Sequence, residues 1–205
     1  MQTMNHKEFP FQFESTKKIL LFPENETRFK GDVLEIGPGR GDVLFGLAKS
    51  NPTKRFVAIE IGKKRFYKLK ERIPKRGLNN ILLFGGNARI VLPFYFKEEG
   101  SFETIMVLFP DPWPKGRHAF RRLLSVEFIT LLSFHLKKRG HLIMASDDKN
   151  YIDWVLENMT KISGFKNTMH PETFSQRIEE LSESYFENKW KKLGRTNYFL
   201  KYEKI

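Results

Sequence analysis

Val33-Leu34-Glu35-Ile36-Gly37-Pro38-Gly39-Arg40-Gly41 decides how the rest of the chain is read. Val33 to Ile36 is a short apolar run of strand length, and it ends in a turn with glycine at every second position. Glycine reaches positive φ without a Cβ penalty and lets a ligand approach the backbone closely. A helix follows from Asp42 to Ser50 and is stopped by Asn51-Pro52. Strand, tight turn and helix are the opening unit of an α/β domain. The spacing is G-x-G-x-G, whereas a dinucleotide fold wants G-x-G-x-x-G with a pyrophosphate on the helix N-terminus. Glu35 stands two residues before the first glycine. An anion has no use for an acid there, but a ligand carrying an ammonium and a sulfonium does.

Outward from this unit the same alternation repeats. Arg55 to Ile61 (RFVAIEI) reads as a second strand, Lys63 to Arg76 as a helix, and Asn80 to Phe84 as a third strand closed by Gly85-Gly86. Residues 102–109 form a fourth strand, Arg117 to Lys137 a long helix, His141 to Ala145 a fifth strand, and Lys149 to Ile162 a helix. Arg195 to Tyr202 alternates enough to be a late strand that inserts antiparallel. Five rounds of strand and helix predict a mostly parallel sheet with helices on both faces. Residues 1–30 are polar and aromatic without a sustained period and read as an N-terminal arm, with the ordered domain at 31–205.

The strand ends carry the chemistry. Glu60, closing the second strand, is placed to accept both hydroxyls of a ribose, and Asn87, after the third, to hydrogen-bond an adenine edge. The fourth strand runs into Leu108-Phe109-Pro110-Asp111-Pro112-Trp113-Pro114-Lys115-Gly116-Arg117-His118. Proline cannot continue the ladder, so an acid, a large aromatic and a basic cluster stand on a rigid loop at a strand's C-terminal end. Open α/β sheets bind ligands there.

Composition narrows the partner. The 205 residues hold 36 Lys and Arg against 24 Asp and Glu, a net charge of +12. Such a balance points to a polyanion, nucleic acid before membrane. The chain has no cysteine, which excludes disulfides, thiolate zinc sites and iron–sulfur clusters. Its five histidines have no metal-ligand spacing, so no metal is expected. No apolar run reaches membrane-span length and no signal-peptide core is seen, so a soluble cytoplasmic protein is expected.

The glycine loop, Glu60, Asn87 and the PDPW segment together resemble the class I, Rossmann-like methyltransferases that use S-adenosyl-L-methionine. They are most similar to the bacterial tRNA (guanine-N7-)-methyltransferases. The likeness runs through LEIGPGRGD, AIEI, GGNA, LFPDPWPKGRH with Arg121-Arg122 behind it, MASDD, and Ser184-Tyr185-Phe186-Glu187. It implies a seven-stranded, mostly parallel sheet with one antiparallel strand. It also implies that Glu35, Gly37, Gly39, Gly41, Glu60, Asn87 and Asp111 contact S-adenosyl-L-methionine, with Asp111 also catalytic. Lys115, Asp147, Ser184 and Glu187 would serve the substrate, and Arg117, His118, Arg121 and Arg122 would face RNA. The implied reaction moves a methyl group to N7 of the variable-loop guanosine of tRNA, without metal or membrane, in a monomer or a homodimer.

Two positions depart from the family pattern: Asn87 stands where relatives often carry aspartate, and Ser184 where they carry threonine. Three rival readings are weaker. Exocyclic-amine methyltransferases carry an Asn/Asp-Pro-Pro-Tyr/Phe loop, and PDPW has the wrong order. The glycine spacing disfavours a nicotinamide oxidoreductase. A non-catalytic RNA-binding module would have no need of the intact acidic set.

Overall fold

The computed structural model describes residues 19–24, 29–169, 173–178, 181, 193–194 and 196–205. Eight strands form one sheet: β1 (Leu20–Phe22), β2 (Val33–Ile36), β3 (Phe56–Glu60), β4 (Ile81–Gly85), β5 (Phe102–Leu108), β6 (Leu136–Ser146), β7 (Phe165–Asn167) and β8 (Tyr198–Lys204). Their spatial order is β1-β4-β3-β2-β5-β6-β8-β7. The five central strands, β4 to β6 in that order, run parallel. β8 is antiparallel to both β6 and β7.

Both faces of the central strands are apolar, as a sheet covered by crossover helices requires. Phe56, Ala58, Ile81 and Leu83 face α1 (Asp42–Ser50) and α2 (Lys63–Lys75), packing with Val43, Leu44, Phe45, Phe66 and Leu69. Val57, Ile59, Leu82 and Phe84 face the other way, in one cluster with residues of α3 (Ala88–Tyr95), α4 (Val126–His135) and α5 (Lys149–Thr160). Each fully buried leucine or phenylalanine contributes about 1.5–3 kcal/mol. Truncating Leu44 or Leu82 to alanine would cost about 2–5 kcal/mol through the cavity left behind.

The chain leaves β2 toward β3 on one side, while β5 joins β2 from the other. This reversal opens a crevice at the C-terminal ends of β2 and β5.

The structure departs from the sequence reading in five places. The six strands located in the sequence are β2 to β6 and β8, with β8 antiparallel, and β7 brings them to the seven that the resemblance implies. An eighth, β1, pairs antiparallel with β4 through Leu20–Gly85 and Phe22–Leu83, so ordered chain begins ahead of Gly31. The long helix expected over Arg117–Lys137 is broken. Gly116–Arg121 is a 3-10 turn, Arg122 is extended at φ −58°, ψ 131°, and Ser125 caps α4 by accepting from the Phe128 N–H. β6 starts five residues early, because Lys137–Arg139 lie exposed in an irregularity opposite Phe102–Thr104, with Arg139 at φ 64°. α3 and the three-residue β7 were not expected; Pro93 inside α3 disguises it. Among the described residues no helix is long and apolar enough to cross a membrane.

Candidate active site

A cleft of about 390 Å³ opens where β2, β3 and β5 end. Its floor is the glycine loop. Gly37, Gly39 and Gly41 all hold left-handed φ, at 73°, 58° and 79°. At Gly41, which starts α1, a Cβ would also come within 2.7 Å of Leu69 and 2.8 Å of Phe45. Neither conformation nor space admits a side chain there. The loop is tied down by Gly37 N–H donating to the Ile59 carbonyl and Gly41 N–H to the Pro38 carbonyl, both at 2.8 Å.

Glu60 braces this loop. Only 1% exposed, it accepts from the Gly39 N–H through Oε2 at 3.2 Å and from the Gly62 N–H through Oε1 at 2.7 Å. A carboxylate oxygen has two acceptor positions, so each keeps capacity toward the cleft.

Glu35 is the unusual group. It is 3% exposed, and its Oε2 has no hydrogen-bond partner among the described residues. Burial pushes its carboxyl from 4.5 up to about 8, and the nearby carboxylates of Asp42 and Glu60 push the same way. A buried carboxyl oxygen without a partner costs free energy unless something satisfies it. Here that something would be a cation with N–H groups to donate.

The far wall is the loop after β5, where Phe109 (φ 51°) and Trp113 (φ 45°) are both left-handed. Each precedes a proline, which favours extended backbone, so each costs about 1–3 kcal/mol. Several contacts hold the loop in place. The Phe109 N–H donates to the Ala145 carbonyl at 2.8 Å, and the Phe109 ring meets Phe199 edge-on at 5.8 Å. The Arg122 Nε–H donates to the Pro112 carbonyl at 3.1 Å, while its guanidinium lies 5.2 Å from the Trp154 ring centre. Asp111 thus stands exposed on a strained, well-braced loop that lines the cleft.

The structure gathers Glu35, Gly37, Gly39, Glu60, Asp111 and Arg121 around this one cleft, with Gly41 directly behind it. Other expected site residues are not on its wall. Asn87 is exposed and its Oδ1 caps α3 by accepting from the Arg89 N–H at 3.0 Å. It remains close, since the adjacent Gly86 N–H donates to the Glu60 carbonyl. Asp147 is half-buried just beyond β6, and the neighbouring Asp148 caps α5. Lys115 and Arg117 are exposed at the 3-10 turn, and His118 is half-buried, edge-on to Trp113 at 5.6 Å. Arg122 has the internal partners just described. Ser184 and Glu187 lie outside the described residues. No group of three or more His, Asp or Glu able to hold a metal occurs among the described residues.

Sequence reasoning missed Asp42, Ile61 and Arg65 on the wall. Ile61 is 71% exposed and follows Glu60 directly, offering an apolar surface beside that carboxylate. Its signal was its place: one residue past the acid that closes a buried strand.

Sheet order, reversed crossover and an acid-lined glycine loop define a Rossmann-like methyltransferase fold. A S-adenosylmethionine-dependent methyltransferase from Aquifex aeolicus superposes with a TM-score of 0.57 at 14% identity, covering 87% of this chain and 85% of its own. A family model described as "Putative methyltransferase" matches residues 30–200. The tRNA (guanine-N(7)-)-methyltransferase of Nitrosomonas europaea is 35% identical over 164 residues, 80% of this chain and 72% of the relative. That of Alcanivorax borkumensis is 34% identical over 172 residues, 84% and 72% respectively. The chain belongs to the tRNA (guanine-N(7)-)-methyltransferase family.

Proposed function

We propose that this protein transfers a methyl group from S-adenosyl-L-methionine to N7 of the variable-loop guanosine of tRNA. The observation that carries the reading is the buried, unpartnered Glu35 Oε2 in a cleft whose glycine loop is braced by Glu60. That donor set fits the methyl donor: Glu35 would hold its ammonium, Glu60 its ribose hydroxyls, and Ile61 would pack against its adenine. Asn87, at the cleft's edge, is near enough in the fold to meet the adenine rim. When bound, S-adenosyl-L-methionine supplies an electrophilic methyl group on a sulfonium.

The chain's own residues then have a positioning task. Guanine N7 carries a lone pair in the neutral base, so no side chain needs to remove a proton before attack. Holding nucleophile and methyl group in line supplies up to about 7–11 kcal/mol in favourable systems. A carboxylate beside the sulfonium favours the charged reactant at least as much as the charge-dispersed transition state, so it adds little to the chemical step. Asp111 and Asp147 therefore act by orientation. One of them accepts from the guanine N1–H and N2–H₂ edge, which turns N7 toward the methyl and rejects adenine. Lys115, Arg117, His118 and Arg121 supply the phosphate contacts, and the guanosine is drawn out of its tertiary stack to reach the cleft.

The test is to incubate the protein with labelled donor and an unmodified tRNA transcript, digest the product and identify the labelled nucleoside. 7-Methylguanosine is expected. Label on an exocyclic nitrogen, or none on tRNA, would overturn the reading.

A further inference from the structure

Phe120 is 80% exposed, the most exposed of the large apolar side chains among the described residues. It belongs to the 3-10 turn Gly116–Arg121, between the cleft residues Trp113 on one side and Arg121 and Leu123 on the other. The Arg121 guanidinium carbon lies 5.4 Å from the Phe120 ring centre and 4.9 Å from that of Trp113. Trp113 is already engaged, half-buried with Arg121 over its ring and His118 at its edge. Phe120, with Arg121 near one face of its ring, keeps the rest of that ring exposed beside the cleft residue Arg121.

Its surroundings select the partner. Between Asp111 and Glu127 the chain has no acidic residue but carries the exposed cations Lys115, Arg117 and Arg121, while Arg122 is turned to Pro112 and Trp154. An aromatic ring backed by cations, with no carboxylate on its own segment, matches the stacking-plus-phosphate arrangement with which proteins hold unpaired nucleotides. A flat lipid surface would need several exposed rings in one plane, and this turn presents one ring beside a concave cleft.

We propose that Phe120 is a base-stacking residue: its ring takes an unpaired nucleobase flanking the target guanosine, while Arg121 contacts that nucleotide's phosphate. The ring keeps the RNA opened after the guanosine has entered the cleft. This inference rests on the tRNA reading above and adds a recognition residue to it.

The experiment compares full-length wild type, Phe120→Ala, Phe120→Leu and Phe120→Trp for tRNA affinity over a salt series, with donor affinity by calorimetry as the check on folding. Base–aromatic stacking is worth about 1–3 kcal/mol by alanine substitution, so Phe120→Ala should bind tRNA roughly 5- to 150-fold more weakly. The slope of affinity against salt should stay unchanged, because no phosphate contact is lost. Phe120→Leu should be nearly as weak, since it keeps apolar volume without a π-face, and Phe120→Trp should bind at least as tightly as wild type. Wild-type affinity in both Phe120→Ala and Phe120→Leu, alongside intact methylation of tRNA, would overturn this inference and leave the proposed function standing. Failure of the wild type to bind tRNA would overturn both. Anionic vesicles that sediment wild type but not Phe120→Leu, with tRNA affinity unaltered, would assign the ring to a membrane instead.

Discussion

Replacing Glu35 with glutamine should make the protein more stable and a worse donor binder, and both effects should depend on pH. In the unfolded chain this carboxyl ionises near 4.5; in the folded protein burial raises it to about 8. Neutral Glu35 therefore gives its full contribution to stability below 4.5, and that contribution is lost as pH rises through about 8. At 1.36 kcal/mol per pH unit, the loss amounts to about 3 kcal/mol at pH 7 and approaches about 5 kcal/mol above pH 8. Glutamine mimics the neutral acid and does not titrate. Thermal unfolding followed from pH 5 to 9 should show the two proteins nearly level at the acid end. The variant should then gain steadily, by roughly 6–12 °C at pH 7 for a chain of this size. Adding S-adenosyl-L-methionine should stabilise wild type much more than the variant, because only an ionised Glu35 can pair with an ammonium. Wild-type donor affinity should rise with pH up to about 8, as the proton that binding expels is already gone. A difference in melting temperature between the two proteins that stays constant across the whole range would refute the raised ionisation of a buried Glu35.

Glu60→Ala strands the Gly39 and Gly62 N–H groups, so it should lower the melting temperature by an amount equivalent to about 1–3 kcal/mol as well as weaken donor binding in calorimetry. Arg121→Ala should weaken tRNA binding and reduce its log–log salt slope by about one. Arg122→Ala should instead loosen the loop, since it frees the Pro112 carbonyl and uncovers Trp154. It should lower stability by about 1–3 kcal/mol in chemical denaturation while leaving the salt slope unchanged. Asp147→Asn offers guanine one acceptor and a clashing donor, so single-turnover methyl transfer should slow while donor affinity is kept.

Much of the fold was legible because each central strand is an apolar run closed by a distinct break: glycines after β2 and β4, a polar helix after β3, prolines after β5. The glycine loop and α1 appeared where the residues put them, Asp42 to Ser50. The failures share a cause: tertiary structure overrode local pattern. Leu20–Phe22 is too short to announce itself, and becomes a strand by pairing with the edge of β4. The apolar spacing over Arg117–Lys137 reads as continuous helix, but the chain is pulled extended at Arg122 by its contacts with Pro112 and Trp154. At the cleft, Glu35, Glu60 and Asp111 could be read from sequence because each is an acid at or next to the C-terminal end of an apolar strand. Ile61 and Arg65 could not, since an exposed isoleucine and one arginine in a basic helix resemble ordinary surface until the cleft shows them on its wall. Arg122, a basic motif residue read as RNA-facing, is half-buried and also donates to the Pro112 carbonyl, a contact the sequence does not announce.

N7 of guanine receives the methyl group directly, on an atom that needs no deprotonation. Two tRNA transcripts identical except for 7-deazaguanosine at the variable-loop guanosine test it most directly, since the substitution removes N7 and keeps the N1–H and N2–H₂ edge. Both should bind with the same affinity, and only the unsubstituted transcript should accept labelled methyl from S-adenosyl-L-methionine. Methyl incorporation into the 7-deaza transcript at the unsubstituted rate would contradict the account.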